Sequence, residues 1–155
     1  MIQRIQSLYL LLTALVAALF LNGTYLTFFN GVDVYINLKI NGLFEVYTMA
    51  EPAKIADVWI ITVLAVIIPL LSLVSIFLFS KRKIQLKLTE VLIVLIIAFI
   101  GVTCYYSFNI ISNYNASFFL WGKSIIPVVQ LLSAVLAYLG IKRDDNLVKS
   151  YDRLR

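Results

Sequence analysis

The 155-residue chain contains no histidine and a single cysteine, Cys104. Without His it has neither a haem axial pair nor an imidazole metal triad. With one Cys it forms no internal disulfide and no Cys-x-x-Cys redox pair. Charge is scarce as well: Asp, Glu, Lys and Arg make up 14% of residues, against about 25% in an ordinary soluble domain. The sequence holds no phosphate-binding glycine loop and no Ser–His–carboxylate set. Ser and Tyr are numerous, but no base is present to activate them. These absences argue against an enzyme and imply no cofactor and no metal.

Apolar residues are what the chain has in excess. Hydrophobic residues account for 62% of it, and the mean hydropathy is +0.96. A soluble core of this length cannot bury that much apolar surface, so the composition is that of a membrane protein. Four charge-free apolar runs mark spans at about residues 5–22, 58–80, 91–112 and 124–141. A helix needs about 20 residues to cross ~30 Å of hydrocarbon. Lipid leaves backbone polar groups no partner, so each run is expected to be helical. Alanines within the first run are followed by Leu19, Phe20 and Leu21, so a retained span is expected rather than a cleaved signal peptide.

Ten of the 13 Lys and Arg residues fall with Arg4, the segment Lys81–Glu90 and the tail 142–155. Lys39, Lys54 and Lys123 fall on the other side. The positive-inside rule puts both termini and the middle segment in the cytoplasm. The net charge of +5 therefore orients the chain in a bilayer. The cations sit at span ends rather than on one broad face, which argues against nucleic-acid binding. The segment KRKIQLKLTE reads as a tight basic turn.

The outer loop, 23–57, carries three β-rich runs separated by Asn30–Gly31 and Asn41–Gly42. Asn-Gly suits type I′ hairpin turns. In the middle run Val32, Val34, Ile36, Leu38 and Ile40 alternate with polar residues, giving one apolar face. Strands are expected at Thr24–Phe29, Val32–Ile40 and Leu43–Met49. Their apolar face needs cover from span ends, the second outer loop or a partner. Phe28, Phe29, Trp59, Tyr114, Phe118, Phe119 and Trp121 suit an interfacial aromatic belt. The fold class is thus a mostly α membrane protein: a four-transmembrane-helix bundle with a small antiparallel β-sheet in the first extracytoplasmic loop.

Within the spans, Ala14 with Ala18 and Ser133 with Ala137 have helix-packing spacing. Pro69 is placed to kink the second span, and Pro127 to start the fourth. Asn109 and Gln130 sit in the outer halves of adjacent spans and are candidates for an intramembrane polar contact. In the tail KRDDNLVKSYDRLR, Leu147, Tyr151 and Leu154 share one helical face. Asp145 and Lys149 form an i,i+4 pair. The mixed charge, including Asp152 and Arg153, suits a protein surface better than an anionic leaflet. This tail is the candidate partner-binding segment.

The opening MIQRIQSLYLLL and the closing IKRDDNLVKSYDRLR resemble the two ends of a family of small four-span bacterial inner-membrane proteins of unknown function. That resemblance implies a bacterial cytoplasmic membrane and no transferable activity. In architecture the chain is also similar to claudin-like tetraspans, with a strand-rich first outer loop and a short second one. Asn41-Gly42-Leu43-Phe44 resembles their Gly-Leu-Trp motif, while their paired loop cysteines are missing here. The reading that follows is a non-catalytic accessory subunit that binds and stabilises a larger inner-membrane complex. The alternative is a homo-oligomeric channel or small-molecule carrier. Reporter fusions after Lys83 and after Arg155 are both expected to report cytoplasmic; an external signal at either overturns the topology.

Overall fold

A computed structural model of the chain describes residues 3–19, 21, 23–29, 34–47, 51–79, 81–119 and 122–153. The elements run α1 (Gln3–Ala18), β1 (Thr24–Phe29), β2 (Val34–Lys39), β3 (Gly42–Tyr47), β4 (Ala53–Ala56), α2 (Trp59–Phe77), α3 (Arg82–Tyr114), β5 (Ser117–Phe119) and α4 (Ile126–Arg153). A 3-10 turn at Gly122–Ile125 leads into α4. α2, α3 and α4 are long and apolar enough to cross a membrane; α1 is a shorter apolar helix.

α1 packs on α2 and α4, and α3 packs on the same two, so the helices close a ring. β1 follows α1, β4 precedes α2, and β5 links α3 to α4. All five strands therefore lie at one end of the ring. The strand order is β4-β3-β2-β1-β5, antiparallel throughout. The expected three-stranded sheet gains a strand at each edge. β5 comes from the second outer loop, too short a segment for a period-two pattern to show.

The apolar face of the sheet is covered by the chain's own helices. Phe28, Ile36 and Leu38 are fully buried, in one core with Val58, Ile61, Leu92, Phe99 and Ile110. Phe28 is thus core rather than belt and packs on Phe118, with ring centroids 5.6 Å apart. Trp59, 72% exposed, suits the interfacial role. Thr62 donates a hydrogen bond to the Ile40 carbonyl and ties α2 to the β2–β3 turn.

That turn differs from expectation. Lys39 pairs with Gly42, so Ile40 and Asn41 form the two-residue loop and Gly42 opens β3. Neither loop residue has positive φ, which excludes type I′ geometry. Gly42 itself has φ +151°, and a Cβ there would lie 2.7 Å from Lys54 Cε and 2.8 Å from the Ala56 carbonyl. The glycine serves the close approach of β4 rather than the turn. The Asn30–Gly31 turn, with Val32 and Met49, lies outside the described residues.

The segment Arg82–Glu90 is helix, not turn. α2 ends at Phe77 and α3 already begins at Arg82. Gln85 and Thr89 are buried there. An apolar run marks where a helix is embedded and not how far it extends, because packing against a neighbour carries it further. Asn115, in left-handed geometry at φ 48°, ends α3, as Asn at this position commonly does. Pro69 lies buried inside α2, and Pro127 falls in the first turn of α4 as expected. Gly42→Ala is expected to destabilise the protein by roughly 1–3 kcal/mol, read as a lowered Tm in detergent. An unchanged Tm would contradict the close β3–β4 packing.

Candidate functional site

Each of the four seams in the ring carries a side-chain hydrogen bond. Between α1 and α2, Ser72 donates to the Leu10 carbonyl at 2.7 Å. Between α2 and α3, Gln85 Nε2 donates to the Ser75 carbonyl at 3.1 Å. Between α3 and α4, the Tyr138 hydroxyl donates to Glu90 Oε1 at 3.0 Å. The α1–α4 seam has two. The Thr13 and Ser133 hydroxyls lie 2.8 Å apart, and Gln6 Nε2 donates to Asp144 Oδ2. Thr13 and Ser133 also reach the carbonyls of Tyr9 and Gln130, each at 2.9 Å. A hydroxyl has one proton, so one of them donates across the seam.

Small residues let these two helices approach. Ala17, Ser133, Ala134 and Ala137 are all buried. Ala14 and Ala18, read as a small packing pair, instead line a hollow shared with Val66, Pro69 and Leu70 of α2, and Ala18 is exposed. At Gly140 a Cβ would lie 2.9 Å from Gln6 Cγ. The Gln6 side chain crosses α4 at this glycine on its way to Asp144. Held at its amide, it cannot swing aside without releasing the acid.

Asn109 and Gln130 do not meet. Asn109 Nδ2 donates to the Tyr105 carbonyl of its own helix, 3.1 Å away on an exposed face. Gln130 is buried at 1% exposure, and its amide finds no partner among the described residues. Occupying the outer halves of adjacent helices does not put two residues on facing sides. The side-chain pair the ring does form deep in the α1–α4 seam is between residues of modest polarity. Thr13 and Ser133, 120 positions apart, carry no local signal that joins them.

The tail is helical as expected, but it is a continuation of α4 rather than a separate helix. Gly140 causes no break. Asp144 is buried against Gln6, while Leu147 and Val148 are 44% and 41% exposed. Leu147, on the face read as partner-binding, is thus exposed in the chain by itself. Tyr151, Asp152 and Arg153 lie within the helix, and their side chains, like Leu154, fall outside the described residues. Among the described residues no three His, Cys, Asp or Glu side chains gather closely enough to hold a metal.

The fold and its seams define a helical protein with three membrane-compatible helices and a β cap at one end. The chain belongs to the family described as domain of unknown function DUF4293, which matches residues 2–154. No curated protein and no solved structure matches it.

Gly140→Ala is expected to lower the Tm of the otherwise unchanged protein. Combined with Gln6→Ala, the same substitution is expected to stabilise by about 0.8–1 kcal/mol, the helix-propensity gain of Ala over Gly. Thermal unfolding of the four proteins in one detergent measures the difference. Equal effects in both backgrounds would mean that Gln6 does not press on Gly140.

Proposed function

We propose that the protein is a four-span accessory subunit of a bacterial inner-membrane complex. Both termini and the α2–α3 turn lie in the cytoplasm, and the sheet lies outside. α1 serves as the remaining span, seated by its seam with α4. The charge split supports this orientation, because the sheet end carries Lys39, Lys54 and Lys123 while the Lys and Arg clusters lie at the opposite end.

The observation that carries the docking role is the open face of the α4 extension. Asp144 anchors the extension to α1, while Leu147 and Val148 remain exposed next to it. In that arrangement one side of the helix is fixed within the bundle and the next turn presents apolar surface at the cytoplasmic end. A partner covering Leu147 gains about 1.5–3 kcal/mol if it buries the side chain fully. The helix itself needs no ordering on binding, because it is already formed as part of α4. The chemistry is binding, not catalysis.

The experiment is a gentle-detergent pull-down of the full chain with mass spectrometry. A stoichiometric partner protein is expected. Leu147→Asp is expected to release most of it while membrane insertion and the Tm stay unchanged, since Leu147 lies beyond the Gln6–Asp144 contact. Recovery of a homo-oligomer alone, or full partner retention by the variant, would overturn the reading.

A further inference from the structure

Two hollows flank the first strand, one on either side of Tyr25. The first is a cup of about 500 Å³ whose lining includes Thr27, Phe29, Tyr35, Asn37 and Lys123. Phe28, Ile36 and Leu38 point into the core, so their alternating neighbours Thr27, Phe29, Tyr35 and Asn37 form the outward face of the sheet. Thr27 donates to Asn37 Oδ1 at 2.9 Å. Phe29 and Tyr35 meet edge to face, with centroids 4.4 Å apart. Lys123 is the one charged residue among the described residues of the lining. It is seated over Gly23, which has φ +83° and where a Cβ would lie 3.1 Å from Lys123 Nζ.

The second hollow is a cleft of about 470 Å³ between α3 and the start of α4. Ile100, Phe108, Ile111, Phe118 and Val128 are among the apolar residues of its wall. It opens on the exposed side of the bundle, where Phe108 is 73% and Val128 53% exposed. One polar atom in the wall is buried without a protein partner among the described residues, Ser124 Oγ. Both volumes fall in the range of about 300–1,000 Å³ typical of small-molecule sites.

The hollows are neighbours by construction. Tyr25 lines both. Lys123 lines the cup and Ser124, the next residue, lines the cleft. Tyr25 packs on Phe99 with centroids 5.8 Å apart. Burial pushes its phenol up to about 12, so it stays a neutral hydroxyl at the boundary. A cup that sets hydroxyls, an amide and one cation among apolar walls, beside an almost wholly apolar cleft open to the lipid-facing side, has the layout of an amphiphile.

We propose that cup and cleft form one site for an anionic phospholipid of the sheet-side leaflet. Its phosphate sits at Lys123 and one acyl chain lies against Ile111 and Phe108. The cation selects a negative headgroup, and the aromatic and amide groups of the cup leave room for the polar part beyond the phosphate. A water-soluble ligand of the same charge would have no use for the cleft. The cleft opens to the hydrocarbon, so the lipid enters from the bilayer without crossing water. This assignment rests on the membrane reading above but not on the partner.

The test uses the full chain in detergent micelles and phosphatidylglycerol carrying a photoactivatable diazirine in one acyl chain. Cross-links are expected within residues 100–111 and 118–128. A phosphatidylcholine probe, and Lys123→Gln with the phosphatidylglycerol probe, are each expected to reduce the yield by about fivefold, the order one lysine near an anionic lipid supports. On the unaltered protein, unlabelled phosphatidylglycerol is expected to compete and glycerol phosphate is not. Equal labelling by the two probes, cross-links mapping elsewhere, or full competition by glycerol phosphate would overturn the proposal. Failure of the membrane reading would show separately, as a chain that does not fractionate with membranes.

Discussion

The interaction on which the structure depends is the α1–α4 seam. α1 is the shortest helix and the first in the chain, and without that seam the ring is open. Thr13 and Ser133 join the helices on the side nearer the sheet, and Gln6 and Asp144 join them at the end of α1 away from the sheet. Between these points Gly140 removes the side chain that would hold the helices apart. The seam also determines the sheet. β1 leaves the top of α1 and β5 leads into α4, so helices held side by side bring those strands into pairing, Thr27 opposite Phe119 and Phe29 opposite Ser117. One helix contact thus positions a strand pair formed by segments about 90 residues apart. Individually the polar ties are small, about 1–2 kcal/mol or less in lipid. Their value is registration, because apolar helices slide against each other at little cost and a hydrogen bond between defined atoms does not.

The sheet resolves an unequal surface. Its inner face is apolar and its outer face mixed, so the helix ends and the strands cover each other. The edge strand β4 is four residues long, exposed along its length, and carries Lys54 paired with Asp57. A short, charged edge is a poor template for a further strand. The outer loop therefore reads as a cap fitted to its own bundle.

Much of this was legible in the sequence because the physics behind it is local. Charge-free runs gave the helices, since a span must exclude charge along its whole length. Alternation at Ile36, Leu38 and Ile40 gave the middle strand and its buried face, and β1 fell at Thr24–Phe29 as read. The departures have a common origin in tertiary contact. β5 exists because α1 lies beside α4. The start of α3 extends through Lys83 and Lys87 because Gln85 reaches α2. Asn41–Gly42 looked like a turn because of its residue types, yet Gly42 is needed for the approach of β4. At the candidate sites, helicity of the tail followed from spacing. The burial of Asp144 did not, because it depends on Gln6 at the far end of the chain. Asn109 and Gln130 were conspicuous as amides, but conspicuous polarity does not reveal which way a helix face turns.

The helices differ greatly in length, and the two halves of the ring differ with them. At about 1.5 Å rise per residue, the 16 residues of α1 span about 24 Å and the 19 of α2 about 29 Å. The 33 of α3 span about 50 Å and the 28 of α4 about 42 Å. The short pair are neighbours, and so are the long pair. In a bilayer with ~30 Å of hydrocarbon, lipid beside α1 and α2 meets a protein no thicker than itself, while lipid beside α3 and α4 meets rods that project beyond it. The described rods make a wedge, short on one flank and long on the other, and membrane-compatible helices of such unequal length suit a bilayer that is thinner beside the short pair.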